Sequence, residues 1–596
     1  MPRSPAERRR PAELVRAWLT SERLALCALV AWSVLLAVVG WRAWGHLSED
    51  TGYDLLAAAN VADGQMPYAD FSYYYGPLGV LLLGGVYSLA GVGVDAAIAF
   101  GLVMAGTIVV LSYQLGREIA GPVAAVLVAA LAATAAFSTG NMSAVMPHTT
   151  TAPLAIICAL TGLLWLARGR CVLAGVAAGL LALTRPEFLA AFLAAIVAWL
   201  LVRAAQPEVG VRGALREAAL IAAPALAIPA VVYGAFLTQV SPNALLTENL
   251  FPLHQLRAGG DEVVRSAMPL TASSFVELAG RLALYAAGAA AVVALAIGMS
   301  RGGRSRRAAL SACALAALGF LAVLAVNPEA VRTQLQQAWG WIPAGAAIAA
   351  AALLWRGMRA RGAVPPGLPL ALALAAFLVV IAATLYDQFF PYSTLYFANK
   401  AAYAMPFAAA FLAWLHLRVL PTWGGAPARA IGIGWLALLT LAGGVLVARD
   451  AREESVVVRG PGGALADGPG SGPAHQQAVD WILRSTRAGE PVLIVPQLTW
   501  MHIVADRPSP LTQPTALPGG LTAAAEAESV RHMDAVNLAV VDTRPFPQFG
   551  HGSFGETFDL GLAARLRRDF RRVATLPDSG ADDRTIEIWR RARAAQ

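Results

Sequence analysis

Charge is scarce in this sequence. Of its 596 residues only 14% are Asp, Glu, Lys or Arg, against 57% that are hydrophobic. Soluble domains carry about a quarter of their residues charged, so a soluble globular protein is excluded and a polytopic membrane protein is expected. A mean hydropathy of +0.59 agrees. Lysine is nearly missing: Lys400 is the only one. The formal net charge of +8 thus rests on arginines. They are scattered between apolar stretches, as topology signals are, and form no patch that would suit nucleic acid. Cysteine is rare as well. Cys27, Cys158, Cys171 and Cys313 lie in or beside apolar stretches; they show neither metal spacing nor a disulfide framework and read as small core residues. The C-terminal part contains no nucleotide-binding glycine fingerprint and no nucleophile elbow.

Apolar runs fill most of the chain. About 20 apolar residues cross a bilayer core as a helix. Candidate spans are 22–44, 95–115, 120–138, 149–167, 171–184, 187–204, 215–238, 279–299, 307–326, 338–355, 366–385, 400–418 and 428–448. The first is too long for a cleavable signal and reads as a retained helix. The run 77–94 decides the topology, because a crossing there would flip every later loop. With Arg8, Arg9 and Arg10 inside, leaving 77–94 uncrossed puts Arg117, Arg168, Arg170, Arg203, Arg301, Arg356 and Arg418 on the cytoplasmic side, as the positive-inside rule requires. The run 77–94 therefore reads as a juxtamembrane helix at the outer surface, starting at Gly76-Pro77. About 13 spans result, with the N-terminus cytoplasmic and the C-terminus outside.

The polar segments of interest collect on the outer side: 45–76, 139–148, a turn at Arg185, the long loop 239–277, 327–337 and 386–400. The most informative is the first, where Glu49 and Asp50 follow the first span directly. The expected organisation is a cytoplasmic segment 1–21, a membrane domain 22–449 with an outer loop 45–94, a Gly/Pro linker 450–473, and an outer α/β domain 474–596. In the last, Gln476–Arg487 has helical periodicity, while 491–496, 535–541 and 584–589 read as strands.

Several motifs together resemble a known family. They are the acidic pair with Tyr53, then Gly64-x-x-Pro67-Tyr68-x-Asp70-Phe71, Gly76-Pro77-Leu78, Gly116-Arg117-Glu118, the run Gly175–Glu187, Lys400-x-x-Tyr403-x-x-Pro406, and Ala505-Asp506-Arg507-Pro508. The pattern is similar to the GT-C glycosyltransferases of the protein mannosyltransferase and aminoarabinose transferase superfamily. It is closer still to their bacterial relatives that use polyprenyl-phosphate sugars. The resemblance covers nearly the whole chain, though each motif alone is loose. It implies a GT-C membrane fold and transfer of a sugar, with inversion, from a polyprenyl-phosphate donor to a hydroxyl of a glycan, lipid or protein acceptor at the outer face of the plasma membrane. Two departures stand out. The family's order is Asp then Glu, whereas here Glu49 precedes Asp50. The second outer loop of the family often carries an acid, whereas Asn141–His148 has none: either His148 substitutes or the site lacks that group.

The chemistry assigns roles. An acceptor hydroxyl needs a base, and a positioned carboxylate contributes roughly 10²–10⁴-fold; Asp50 is the first candidate and Glu49 the second. A departing phosphate gains charge and needs fixed cations. Arg185 lies on the outer side against the positive-inside bias, so it and Lys400 are the phosphate candidates; a salt bridge to Glu187 is the structural alternative for Arg185, and snorkelling for Lys400. Asp70, Tyr53, Tyr75, His148, His254 and Tyr403 are candidate substrate contacts. For Asp70 an Asx turn competes, and for Tyr73–Tyr75 an interfacial aromatic belt. No metal or other cofactor is expected. The competing function is a transporter or flippase of a lipid-linked glycan, which calls for ionisable residues mid-membrane and internal repeats; neither is present in the sequence.

Overall fold

The structure, a computed structural model, describes residues 5–45, 47, 51–140, 143–249, 297–332, 367–384, 403–547, 551–580 and 584–592, with isolated helical positions between 276 and 295. The first helices are α1 (Pro5–Val39), α2 (Thr51–Ala62), α3 (Leu78–Ala90), α4 (Val94–Ala120), α5 (Pro122–Ala136), α6 (Thr151–Ala167), α7 (Cys171–Leu181), α8 (Pro186–Ala205), α9 (Gly210–Phe236) and α10 (Pro242–Asn249). Further apolar helices cover Gly303–Val326, Leu368–Thr384, Met405–Trp414 and Pro421–Glu453. Among the described residues six helices are long and apolar enough to cross a membrane, and six shorter apolar helices pack among them. Of the expected spans, 279–299 is described only in part and 338–355 falls entirely outside the described residues.

The bundle is apolar on both its inside and its outside. On α9 only Ala214, Ile221 and Phe236 are buried, while Leu226 and Val231 are more than two-thirds exposed. A continuous apolar outer face of this kind needs a lipid partner. Between helices, small residues permit close approach. Gly175 and Gly179 of α7 are four apart and lie on one face, and a Cβ on Gly175 would stand 2.1 Å from the Ile221 carbonyl oxygen of α9. This small-xxx-small contact fixes α7 and, through it, the corner at Arg185.

The run 77–94 is the 13-residue helix α3, followed by a break at Gly91–Gly93. At 1.5 Å per residue it is about 20 Å long, short of the roughly 30 Å hydrocarbon core. Val80, Leu83 and Tyr87 form its buried face. The helix α2 has no counterpart in the sequence reading, which treats 45–76 as loop. Its apolar residues Leu55, Leu56, Ala57 and Ala58 are all buried, and such a stretch is too short and too small-residued to stand out by periodicity.

The C-terminal domain begins with an antiparallel hairpin, β1 (Val456–Gly460) and β2 (Gly463–Asp467). The Gly/Pro stretch expected as a linker is thus folded: its glycines form the hairpin turn and the start of the helix Gly472–Ser485. A four-stranded sheet follows, ordered β3 (Val492–Val495), β4 (Leu538–Asp542), β6 (Thr585–Arg591) and β5 (Phe570–Pro577), with β3 and β4 parallel and the other pairs antiparallel. Both faces of β3 and β4 are covered, which explains their unbroken apolar sequence. Val492, Ile494, Leu538 and Val540 join the core that includes the helix Gly472–Ser485, while Leu493, Val495, Ala539 and Val541 face a second core around Phe546 and Phe558.

This domain is bolted to one end of the bundle. Arg42 donates to the Ala464 carbonyl at 2.8 Å and pairs with Asp95 at 3.0 Å. Ala466 N–H donates to the Arg42 carbonyl, and Val94 N–H to that of Gly462. Ser72 N–H donates to Thr512 O, and the Tyr74 hydroxyl to Gly520 O.

Candidate functional site

The capped end of the bundle holds a buried polar cluster assembled from five separate segments. The first is α2. Tyr53 lies between Tyr73 and Tyr74, with ring centroids 5.7 and 5.5 Å away and nearly parallel planes, and its hydroxyl accepts from the Tyr74 N–H. The tyrosine run is therefore packed, not spread along an interface: Tyr73 and Tyr74 are buried. Burial pushes the Tyr53, Tyr73 and Tyr74 phenols well above their ordinary range, so at neutral pH they are neutral hydrogen-bonding groups.

Asp54, next to Tyr53, is a carboxylate the sequence reading passes over. It is 2% exposed and accepts from the Tyr73 hydroxyl at 3.0 Å, from Thr150 N–H at 2.5 Å and from Thr150 Oγ1 at 2.6 Å. Burial raises its pKa, against which the Thr150 and Tyr73 hydrogen bonds work. With every near donor engaged, Asp54 joins α2 to the tyrosine run and to the start of α6. Its sequence signal is weak: an acid one turn beyond Asp50, visible only once 51–62 is recognised as a helix.

The second and third segments meet at Tyr75. Its hydroxyl lies 3.1 Å from His148 Nε2. Its ring faces Arg185, whose Cζ stands 4.9 Å from the centroid, with the Tyr403 ring 6.0 Å from the same atom. The approach is set by backbone. Gly76 N–H donates to Thr184 O and Leu78 N–H to Leu183 O; a Cβ on Gly76 would fall 2.3 Å from the Leu183 carbonyl. Only glycine lets the chain lie against the α7–α8 corner and place Tyr75 over Arg185.

Arg185 is 4% exposed and pairs with Glu187 at 3.1 Å. Burial opposes its charge, but Glu187, Tyr75, Tyr403 and Asp54 outweigh it, and the guanidinium is held more firmly protonated than usual. Its Nε has no hydrogen-bond partner among the described residues. A buried, permanently charged donor fork with one donor unengaged fits an anionic ligand.

Of the expected site residues, the structure thus brings Tyr53, Tyr75, His148, Arg185 and Tyr403 together. Asp70 is exposed and accepts from Met66 N–H at 2.7 Å while its own N–H donates to Met66 O, so its carboxylate closes the 66–70 turn from the far end and forms no Asx turn. Glu49, Asp50, Lys400 and His254 lie outside the described residues; Thr51, which opens α2, follows Asp50 directly. Among the described residues no group of three or more His, Cys, Asp or Glu is placed to hold a metal ion.

No protein-family model matches the chain, and no curated protein matches it. Solved structures do. This chain is similar to solved oligosaccharyltransferase structures. The Archaeoglobus fulgidus oligosaccharyltransferase in complex with Zn and sulfate is 14% identical, with a TM-score of 0.48 over 94% of this chain and 74% of that one. The same organism's AglB, bound to an inhibitory peptide and a dolichol-phosphate, is 15% identical, with a TM-score of 0.46 over 96% and 74%. ArnT from Cupriavidus metallidurans, bound to undecaprenyl phosphate, is 13% identical, with a TM-score of 0.42 over 94% and 97%. At these values none of the three says what this chain does, and its own residues carry the functional reading.

Proposed function

We propose that the protein is a membrane glycosyltransferase of GT-C type that moves a sugar from a polyprenyl-phosphate donor to an acceptor hydroxyl at the outer face of the plasma membrane. The acceptor oxygen forms a bond to the anomeric carbon from the side opposite the phosphate, and the carbon–oxygen bond to phosphate breaks. The electron pair stays on the phosphate, and the acceptor's proton passes to a carboxylate. A single displacement needs one base, unlike the carboxylate pair of a glycosidase; Asp50 is assigned that role and Glu49 the second place. Arg185 and Lys400 take the phosphate, and Tyr53, Tyr75, His148, His254 and Tyr403 contact the sugar or hold the residues that do. Asp70 is left to its turn. No step is routed through a metal.

The observation that most supports this reading is Arg185: a buried cation roofed by Tyr75 and Tyr403, with Nε unengaged among the described residues. The chain opening α2 is tied into the same cluster through Tyr53 and Asp54. The test uses the full-length protein in proteoliposomes with lipid donors extracted from a deletion strain, in which the unused polyprenyl-phosphate sugar accumulates. Asp50→Asn with Glu49→Gln is expected to lower transfer by about 10²–10⁴-fold while leaving insertion intact. Wild-type transfer by the double variant removes the base assignment; movement of donor across the bilayer without acceptor, unchanged in the variant, points to a flippase.

A further inference from the structure

The outer loop is fastened to the C-terminal domain on both sides of the acidic pair. On one side Trp500, fully buried, donates Nε1–H to the Leu47 carbonyl at 2.7 Å. On the other side Gly52 lies so close that a Cβ would fall 2.0 Å from the Trp500 backbone nitrogen and 2.3 Å from Thr499 Oγ1. Glu49 and Asp50 stand between these two points in the sequence. Leu47 and Gly52 are five residues apart, so the connecting chain reaches at most about 18 Å. Both flanking points are thus held at one tryptophan.

Trp500 is unusual within its own domain. It opens the short helix Trp500–Ala505, stands edge-on to His475 with ring centroids 5.5 Å apart, and sends its one polar atom out of the domain to Leu47. Two further bonds, Ser72 to Thr512 and Tyr74 to Gly520, hold the later part of the same loop against the same domain. A domain that only bound a partner would not need its interior tryptophan anchored in the loop that carries the proposed base.

We infer that Trp500 is a positioning residue for the transfer site: with the Thr499–Trp500 backbone it fixes the chain on both sides of Glu49 and Asp50, so that the C-terminal domain sets the base against the acceptor hydroxyl. This rests on the glycosyl-transfer reading above. Trp500→Phe keeps an aromatic ring in the core and removes the donor to Leu47. Because small displacements of a catalytic group cost up to about 10²-fold, kcat is expected to fall about tenfold or more, with donor and acceptor KM within about twofold. Amide exchange of a peptide covering 43–55 should rise in the same variant. Trp481→Phe, whose ring lies beside Arg484 and Arg590, should change neither.

Unchanged exchange at 43–55, or raised exchange with unchanged kcat, overturns the positioning role. Exchange that also rises through β3 and β4 signals general loosening of the domain, and Gly52→Ala then decides: it alters no residue of that domain, must lower kcat similarly, and overturns the proposal if it does not. Failure of the wider reading looks different. The wild-type protein then transfers no sugar to an acceptor, whatever the exchange pattern of Trp500→Phe.

Discussion

A single arginine shows how little of a site's strength comes from charge alone. Arg185 offers a flat fork between two tyrosine rings, with Glu187 on one edge. A lysine keeps the charge but not the plane, the stacking or the multiple donors. Arg185→Lys is therefore expected to raise the donor KM and to reduce transfer at least tenfold, measured with donor varied at saturating acceptor. Arg185→Lys with wild-type kinetics means that the guanidinium serves only its pair with Glu187. The sequence displays this residue because a cation against the positive-inside bias is conspicuous. It cannot display Tyr75 and Tyr403 as its roof, since that geometry comes from segments more than 300 positions apart. Asp54 stays hidden for a related reason: its partners, Tyr73 and Thr150, are close only in the fold.

At the scale of elements, hydrophobic length and loop charge make the membrane helices legible, because the bilayer imposes both. The expected spans 95–115, 120–138, 149–167, 187–204 and 215–238 coincide with α4, α5, α6, α8 and α9 to within a few residues. Helix α2 escapes, since it is buried by protein and obeys no bilayer length, and the folded hairpin β1–β2 escapes because glycine and proline read as linker. Close backbone contacts are equally invisible in sequence yet decide where elements sit. Gly76 is the clearest case. Gly76→Ala places a methyl group against the Leu183 carbonyl, backbone that cannot swing aside, so the tyrosine run must shift away from the α7–α8 corner. Transfer should fall by up to about 10²-fold with a lowered melting temperature. Gly85→Ala in α3, where a Cβ meets nothing within 4 Å, should leave both unchanged. Equal behaviour of the two variants in a side-by-side melt and transfer assay would show that the Gly76 contact sets nothing.

At the scale of the whole molecule, the C-terminal domain and the capped end of the bundle form one packed unit, so the stability of the domain bears on the site. Asp559 sits on that boundary. It adopts a left-handed backbone conformation, with φ at 50°, ahead of the helix Leu560–Asp569. Glu526 rather than Asp559 accepts from the helix's first N–H groups, at Gly561 and Leu562, and Asp559 Oδ2 has no hydrogen-bond partner among the described residues. Burial, and then the neighbouring Glu526, pushes its pKa from 3.8 up to about 8. The sign follows from linkage. Below about pH 4 Asp559 is protonated both folded and unfolded, and the folded state bears no cost. Between about pH 4 and 8 the unfolded chain loses the proton and the folded one keeps it, so stability declines as pH rises, by about 1.4 kcal/mol per pH step of one, and levels off above pH 8. Asn fits the same site, tolerates the left-handed conformation and does not ionise. Asp559→Asn should therefore melt higher than the wild type at pH 8, and the two should converge towards pH 4. Melting curves of the full-length protein in detergent from pH 4 to 8.5, followed by tryptophan fluorescence, read this directly. Parallel curves for the two proteins would mean that Asp559 ionises normally and that the boundary beside Tyr74 is wetter than its burial implies.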